Sequence, residues 1–137
     1  MSREPEPFML PMEQGKIREF AAATKSRSHC FTTGSAPFVP PTFLTTSAHW
    51  TGPKNQALCD RDLRRILHGE QEFVFHGPPP RAGDVLTGRQ RIESEFVKAG
   101  RRGGSMRFIV VVTEYRDATG RLACEGRSTI IETGEHQ

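Results

Sequence analysis

The sequence predicts an α+β domain, an antiparallel sheet wrapped around a central buried helix. Three observations predict it. Helical signals lie near the N-terminus and strand-like segments crowd the C-terminal half. Residues 28–53 contain no Asp, Glu, Lys or Arg. Within that stretch a short segment is bounded by Pro40-Pro41 before it and Gly52-Pro53 after it, which are helix start and stop signals. A chain of 137 residues is long enough for one domain with one sizeable core, so residues 1–137 are expected to form a single unit.

Taken in order, residues 1–11 read as an extended arm. Residues 13–24 read as an amphipathic helix. Ile17, Phe20, Ala21 and Thr24 fall on one face, with Glu13, Lys16, Arg18 and Glu19 on the wet side. The central helix is expected at about 41–51. A helix without a charged face is one surrounded by protein, so Phe43, Leu44, Ala48 and Trp50 are expected to be buried. Its Thr and Ser hydroxyls can bond back to helix carbonyls. A second short helix fits residues 60–67, with Leu63, Ile66 and Leu67 as its apolar side.

The remainder reads as strands. Residues 70–76 carry Phe73, Val74 and Phe75. Residues 85–96 place Leu86, Ile92 and Phe96 at even spacing, hence on one face. Residues 106–115 hold Phe108 to Val112, a run expected of a strand covered on both sides. Asp117-Ala118-Thr119-Gly120 makes a tight hairpin, and residues 122–132 close the sheet.

Composition narrows the function classes. The chain is 35% hydrophobic and 26% charged, and no run approaches the ~18 apolar residues of a membrane helix. No membrane association is expected. Acids and prolines in the first ten residues do not fit a secretory signal. Cys30, Cys59 and Cys124 are odd in number and widely spaced, so neither a disulfide framework nor a metal site is expected. The cytoplasm is the expected compartment. The net charge is +3. Basic residues cluster at Lys98, Arg101 and Arg102 and at Arg61, Arg64 and Arg65. No aromatics interleave with them as in nucleic-acid binders, so nucleic acid is not expected. A phosphate-bearing ligand or an acidic carrier protein is compatible with them.

Five short motifs, in register over residues 10–132, resemble one family. Met12-Glu13-Gln14-Gly15-Lys16-Ile17-Arg18-Glu19-Phe20-Ala21 resembles the first helix of the MaoC-like (FAS1-like) dehydratase N-terminal hot-dog domains. Pro40-Pro41-Thr42-Phe43 resembles the start of that family's central helix. Leu67 to Phe73, Arg81-Ala82-Gly83-Asp84-Val85-Leu86, and Asp117–Gly120 with Arg127-Ser128-Thr129 are similar to its later strands and turns. The resemblance implies a hot-dog fold that pairs with a second hot-dog domain, as a homodimer or as a heterodimer with a catalytic subunit. It implies acyl thioesters of coenzyme A or acyl carrier protein as substrates, with no cofactor. It implies hydration of 2-enoyl or dehydration of 3-hydroxyacyl thioesters, with the acyl chain lying along the central helix. Pro41, Thr42, Phe43, His49 and Trp50 are the expected substrate-binding residues on and beside that helix. Arg101 and Arg102 are read as substrate-binding candidates at the coenzyme phosphates, with a solvated loop as the alternative.

The chemistry needs an acid and a base for the α-proton and the β-oxygen. The family supplies them in Asp-x-Asn-Pro-x-His, between the first helix and the central one. Here that window runs from Thr24 to Gly34 and contains no carboxylate. The aspartate would fall near Ser26, whose hydroxyl is no substitute as a proton acceptor. His29 stands near the histidine. His68 and Glu70, two residues apart, would share a strand face as an acid/base or a structural pair. Asp84 fits a turn, and nothing marks Cys59 as a nucleophile. The sequence therefore points to a hot-dog subunit that shapes an acyl tunnel for a catalytic partner. Two alternatives stand beside it: a self-sufficient homodimeric hydratase or thioesterase, and a non-enzymatic acyl-coenzyme A binding module.

Overall fold

In the computed structural model, which describes residues 3–134 except Gly103, five antiparallel strands form one sheet in the order β1-β3-β4-β5-β2. Parts of the expected arm, of the 99–104 loop and of the C-terminus lie outside the described residues. β1 spans Phe8–Pro11, β2 Ile66–Phe75, β3 Val85–Ala99, β4 Ser105–Arg116 and β5 Leu122–Thr133. The arm is therefore a strand in part, pairing with the start of β3 from Phe8↔Gly88 to Pro11↔Val85. Gly88 makes that pairing possible. A Cβ there would stand 2.3 Å from the Phe8 ring, so only glycine lets the ring lie flat on β3.

Helix α1 spans Gln14–Ala23 and buries Ile17 and Ala21, as its periodicity predicts. The hairpin between β4 and β5 also forms as predicted. Asp117 Oδ1 accepts from the backbone N–H of Thr119 (2.9 Å) and of Arg121 (3.1 Å), an Asx-type turn. Thr119 and Arg121 hold this carboxyl down to about 2. The residue pattern of β4 holds as well. Ile109 and Val112 lie on opposite faces and are both buried. Val112 sits between Arg91 and Arg127, whose aliphatic stems can cover it while their charges pair with Glu93.

The central helix differs from expectation. It is a 3-10 helix, Phe43–His49, tighter and shorter than the predicted segment. Phe43 and Leu44 are buried at 2% and 1% exposure, but Ala48 is exposed and Trp50 is 42% exposed. The helix buries side chains in its first turn only, and its uncharged later residues Ala48 to Trp50 face open clefts. Its hydroxyls do bond back: Thr45 Oγ1 to the carbonyl of Thr42 and Thr46 Oγ1 to that of Phe43, both at 2.8 Å. The second expected helix is a single 3-10 turn, Leu63–Arg65, after which the chain enters β2. Leu63 and Leu67 form no apolar side; they are exposed.

Two β-bulges overturn two expectations about faces. One lies between Ile92 and Ser94 of β3, and the other between His68 and Glu70 of β2. Each inserts one residue and reverses the alternation beyond it. Ile92 pairs with Val111 and Phe96 with Phe108, and those two partners point to opposite sides of β4. Leu86 and Ile92 therefore share the concave face, whereas Phe96 stacks on Phe108 on the other, ring centroids 5.1 Å apart.

Packing concentrates at one end of the sheet. Phe8, Leu10, Ile17, Phe43, Leu44 and Tyr115 belong to one buried cluster, in which Phe20 meets Phe43 edge to face at 5.5 Å. Phe43→Ala should lower the unfolding free energy by ~3–5 kcal/mol, the range for emptying an aromatic core site. Leu63→Ala, at an 80% exposed position, should change it by less than about 0.5 kcal/mol. Urea unfolding of both variants checks this. A loss below ~1 kcal/mol for folded Phe43→Ala would remove the helix from the core.

Candidate functional site

The concave face carries side chains from three strands toward the central helix. β4 contributes Tyr115, Thr113 and Val111; the register places Cys124, Gly126 and Ser128 of β5 beside them, with Ile130 beside Ile109 one rung on. β2 adds Phe73 and Gln71 opposite Gly126 and Ser128, and His68 opposite Ile130. Leu44, Ser47 and Ala48 of the helix close the space from above, leaving a cavity of about 420 Å³. Its wall is partly polar. Gln71 Oε1 accepts from Ser128 Oγ at 2.6 Å and lies 3.2 Å from His68 Nε2.

Tyr115 fixes the height of the helix over the sheet. Its hydroxyl donates to Ser47 Oγ at 3.1 Å and reaches the carbonyl of Leu44 at 3.5 Å. Burial pushes its pKa up to about 12. Cys124, its partner on β5, is also pushed up to about 12, by burial and then by the Glu125 charge. A thiol so disposed is inert as a nucleophile at neutral pH.

A second cleft, about 410 Å³, lies on the other flank of the helix, against α1. Phe20, Phe43, Thr46, His49 and Trp50 line it, with Lys16 and Glu19 also contributing.

The window after α1 is built from backbone turns. Ser26 N–H bonds to the carbonyl of Ala21 (2.9 Å) and Lys25 N–H to that of Ala22 (3.0 Å). This is a Schellman ending that puts Lys25 at φ +57°, a conformation usually left to glycine. Ser26 Oγ accepts from Ser28 N–H at 3.3 Å. His29 opens a three-residue 3-10 turn, His29–Phe31. Its imidazole is exposed and makes no hydrogen bond or ion pair within the described residues.

The structure scatters the residues singled out in the sequence. His68 lines the cavity, but the bulge turns Glu70, paired with Thr129, to the opposite face. The two do not share a face as their spacing implied. Phe43, His49 and Trp50 meet in the second cleft. Pro41 lies in an apolar recess with Cys30, Phe38 and Phe75. Thr42 caps the central helix and is exposed. Arg101 and Arg102 are exposed at the β3–β4 hairpin and line neither cleft. Lys98 folds back over the Phe96 and Phe108 rings, at 5.4 and 5.2 Å. Asp84 serves the turn, accepting from Arg81 N–H at 2.9 Å. Sequence reasoning missed Tyr115, Ser47, Gln71 and Ser128. The one available signal was the chain's single tyrosine at the end of an apolar run. Among the described residues no cluster of three or more His, Cys, Asp or Glu could hold a metal, and no helix is long and apolar enough to cross a membrane.

Comparison with known proteins agrees with this architecture. The model of the family described as "FAS1-like, dehydratase domain region" matches residues 1–126. A UPF0336 protein of Saccharopolyspora erythraea is 35% identical over 130 residues, covering 87% of this chain and 79% of that protein. Among solved structures, the HadBC (3R-hydroxyacyl-ACP dehydratase) complex of Mycobacterium tuberculosis contains a similar chain. The TM-score is 0.71 at 25% identity, over 96% of this chain and 98% of that one. The ChsH1-ChsH2 complex of the same organism shares the fold, with TM-score 0.69 at 13% identity over 96% and 85% of the two chains. The fold is the hot dog that the sequence resemblance implies.

The raised pKa of Tyr115 sets an alkaline limit on stability. Its folded value, about 12, exceeds the ordinary ~10 of an exposed phenol. Its contribution is whole below pH ~10 and is lost as pH rises toward 12, because the unfolded chain ionises first. As this is the single tyrosine, phenolate absorbance reports it alone. It should appear together with loss of structure above pH ~11. A phenolate titrating near pH ~10 in a still-folded chain would contradict the buried hydrogen-bonded hydroxyl.

Proposed function

The chain belongs to the family of FAS1-like dehydratase domain regions, and on that premise we propose that it is a hot-dog subunit of an acyl-thioester hydratase or dehydratase. In this reading it shapes the acyl tunnel, and a partner subunit carries the proton-transfer groups. The substrate is an enoyl or 3-hydroxyacyl thioester of coenzyme A or a carrier protein. No cofactor enters the reaction.

One observation carries the reading. The cavity beneath the central helix is present, while the window where the resemblance places the acid and base holds no carboxylate, and the His29 imidazole makes no hydrogen bond among the described residues. Moving the α-proton and the β-oxygen needs groups aligned with the substrate, and each commonly contributes ~10²–10⁴-fold. Ser26, tied to Ser28 N–H, is no such base. The cavity supplies what binding needs: an apolar wall at Leu44, Val111 and Ile130 and a short polar strip at Gln71 and Ser128.

A partner has a place to dock. β2 runs for ten residues along one edge, and at the other β1 covers only residues 85–88 of the fifteen-residue β3. A long strand with one unpaired side invites a strand from a second chain. A hot dog docked along β2 would stand beside the cavity wall made by Phe73, Gln71 and His68. The similar chain in the HadBC complex belongs to a multi-chain dehydratase, which supports a partner of the same kind. One observation favours the self-sufficient alternative: His68 does reach the cavity wall.

The purified chain alone should hydrate 2-enoyl-coenzyme A at or near the uncatalysed rate. Mixed with a hot-dog subunit bearing Asp-x-Asn-Pro-x-His, it should sediment as a dimer and turn over. In the complex His29→Ala should change kcat by less than about twofold, whereas replacing the partner's aspartate should lower it by at least ~10². Robust hydration by the isolated chain that is lost in His68→Ala would instead place the catalytic site in this sequence.

A further inference from the structure

The concave face changes character along its length. At the rungs of Tyr115, Thr113 and Val111 the paired residues are Gly88, Gln90 and Ile92 on β3 and Cys124, Gly126 and Ser128 on β5, all uncharged. The next two rungs are different. Because of the bulge in β3, Glu95 pairs with Ile109 on the concave side, and one rung further Glu132 pairs with Arg107.

Arg61, from the loop before β2, lines the cavity and joins these carboxylates. Its Nη1 donates to Glu132 Oε2 at 3.3 Å, and its Nη2 lies 3.7 Å from Glu95 Oε1. Glu95 stands on β3 and Glu132 on β5, with β4 between them. A guanidinium that reaches both must lie across β4. Arg107 Nη1 secures Glu95 from below at 3.1 Å, and Arg65 Nη2 lies 3.9 Å from Glu132 Oε1. The group is partly sheltered: Glu132 is 14%, Arg61 27% and Glu95 31% exposed at the side chain. Sheltered pairs are screened less than exposed ones, so the bar holds its position.

We propose that Arg61, pinned between Glu95 and Glu132, is the end wall of the cavity and sets the length of acyl chain the protein accepts. This rests on the reading that the cavity receives the acyl chain. Along the apolar lining of Leu44, Val111 and Ile130 a growing alkyl tail gains burial with each methylene. At the end of that lining the tail meets the ion-paired guanidinium, and going further means separating Arg61 from Glu95 and Glu132 in a partly sheltered setting. The preferred substrate class is therefore medium-chain acyl thioesters, and Arg61 is a specificity-determining residue rather than a catalytic one.

Titration calorimetry of the full chain with octanoyl- and palmitoyl-coenzyme A, below micelle-forming concentrations, tests this. Taking the ratio of the two affinities cancels the shared coenzyme. In the wild type the longer chain should bind no tighter than the shorter. In Arg61→Ala the palmitoyl-to-octanoyl affinity ratio should rise by about tenfold or more, since several further methylenes become buried. Glu95→Gln with Glu132→Gln releases Arg61 without altering it and should shift the ratio in the same direction, which keeps the test open if Arg61→Ala fails to fold. An unchanged ratio in a folded variant, or a wild type that already prefers palmitoyl strongly, overturns the end wall alone. Binding of neither ligand by any form overturns the placement of the acyl chain in this cavity.

Discussion

The hydrogen bond from Tyr115 to the central helix is the constraint on which the rest of the molecule turns. A buried phenol hydroxyl has to find a partner, and this one finds Ser47 and the carbonyl of Leu44. The Tyr115 ring meets Phe8 edge to face, centroids 6.3 Å apart, and Phe8 in turn lies on Gly88. Arm, sheet and helix thus meet at one rung, and the buried cluster gathers there. The helix is anchored there through buried Phe43 and Leu44 and through Ser47, and open space lies beside its later residues. The cavity is a consequence of this one-ended packing. No side chain has to be carved away to make it, because the strut holds helix and sheet apart where nothing large fills the gap.

Much of this fold was legible in the residues because it rests on local rules. The α1 periodicity, the Asp117 hairpin and the Asp84 turn each depend on neighbours within a few positions. The bulges were not legible. The spacing of Leu86, Ile92 and Phe96 looks continuous, and nothing in it shows that Glu93 is an extra residue. Gly69 carried a faint signal. A Cβ there would come within 2.9 Å of Ile131 Cδ1, and a glycine inside a strand often marks a bulge or a close approach. The charge-free stretch misled for another reason. Absence of charge means that water is not the intended neighbour, and the sequence does not say whether this chain or another one supplies the cover. Ala48 and Trp50 are left open here.

The site was legible where it is absent and illegible where it is present. A missing carboxylate between Thr24 and Gly34 can be read directly from the chain. The bar of Arg61, Glu95 and Glu132 cannot, because three positions far apart in sequence converge only through strand register and one bulge. Were β3 regular, with Glu93 held in the ladder, Glu95 would fall opposite Phe108 and face outward, and Arg61 would lose one of the two strand carboxylates it joins. The same irregularity that defeats the reading of alternation thus builds the cavity's charged end.

Loss of proton-transfer groups and retention of a cavity belong together on the proposed reading. Two chains that share one substrate need a single set of acid and base groups between them. Selection then acts on the second chain through what it binds and how it pairs. The window after α1 has the form expected of such a history. It is tied by local hydrogen bonds, in the Schellman ending, from Ser28 N–H to Ser26, and from Thr33 to the His29 carbonyl. Restoring an aspartate at Ser26 would not restore a base, because a carboxylate there inherits the N–H of Ser28 and caps the turn. His29 would still point to solvent without a partner. On the same reading a dyad here would need a longer loop that reaches over the substrate, so the length and turns of this segment matter as much as one residue type.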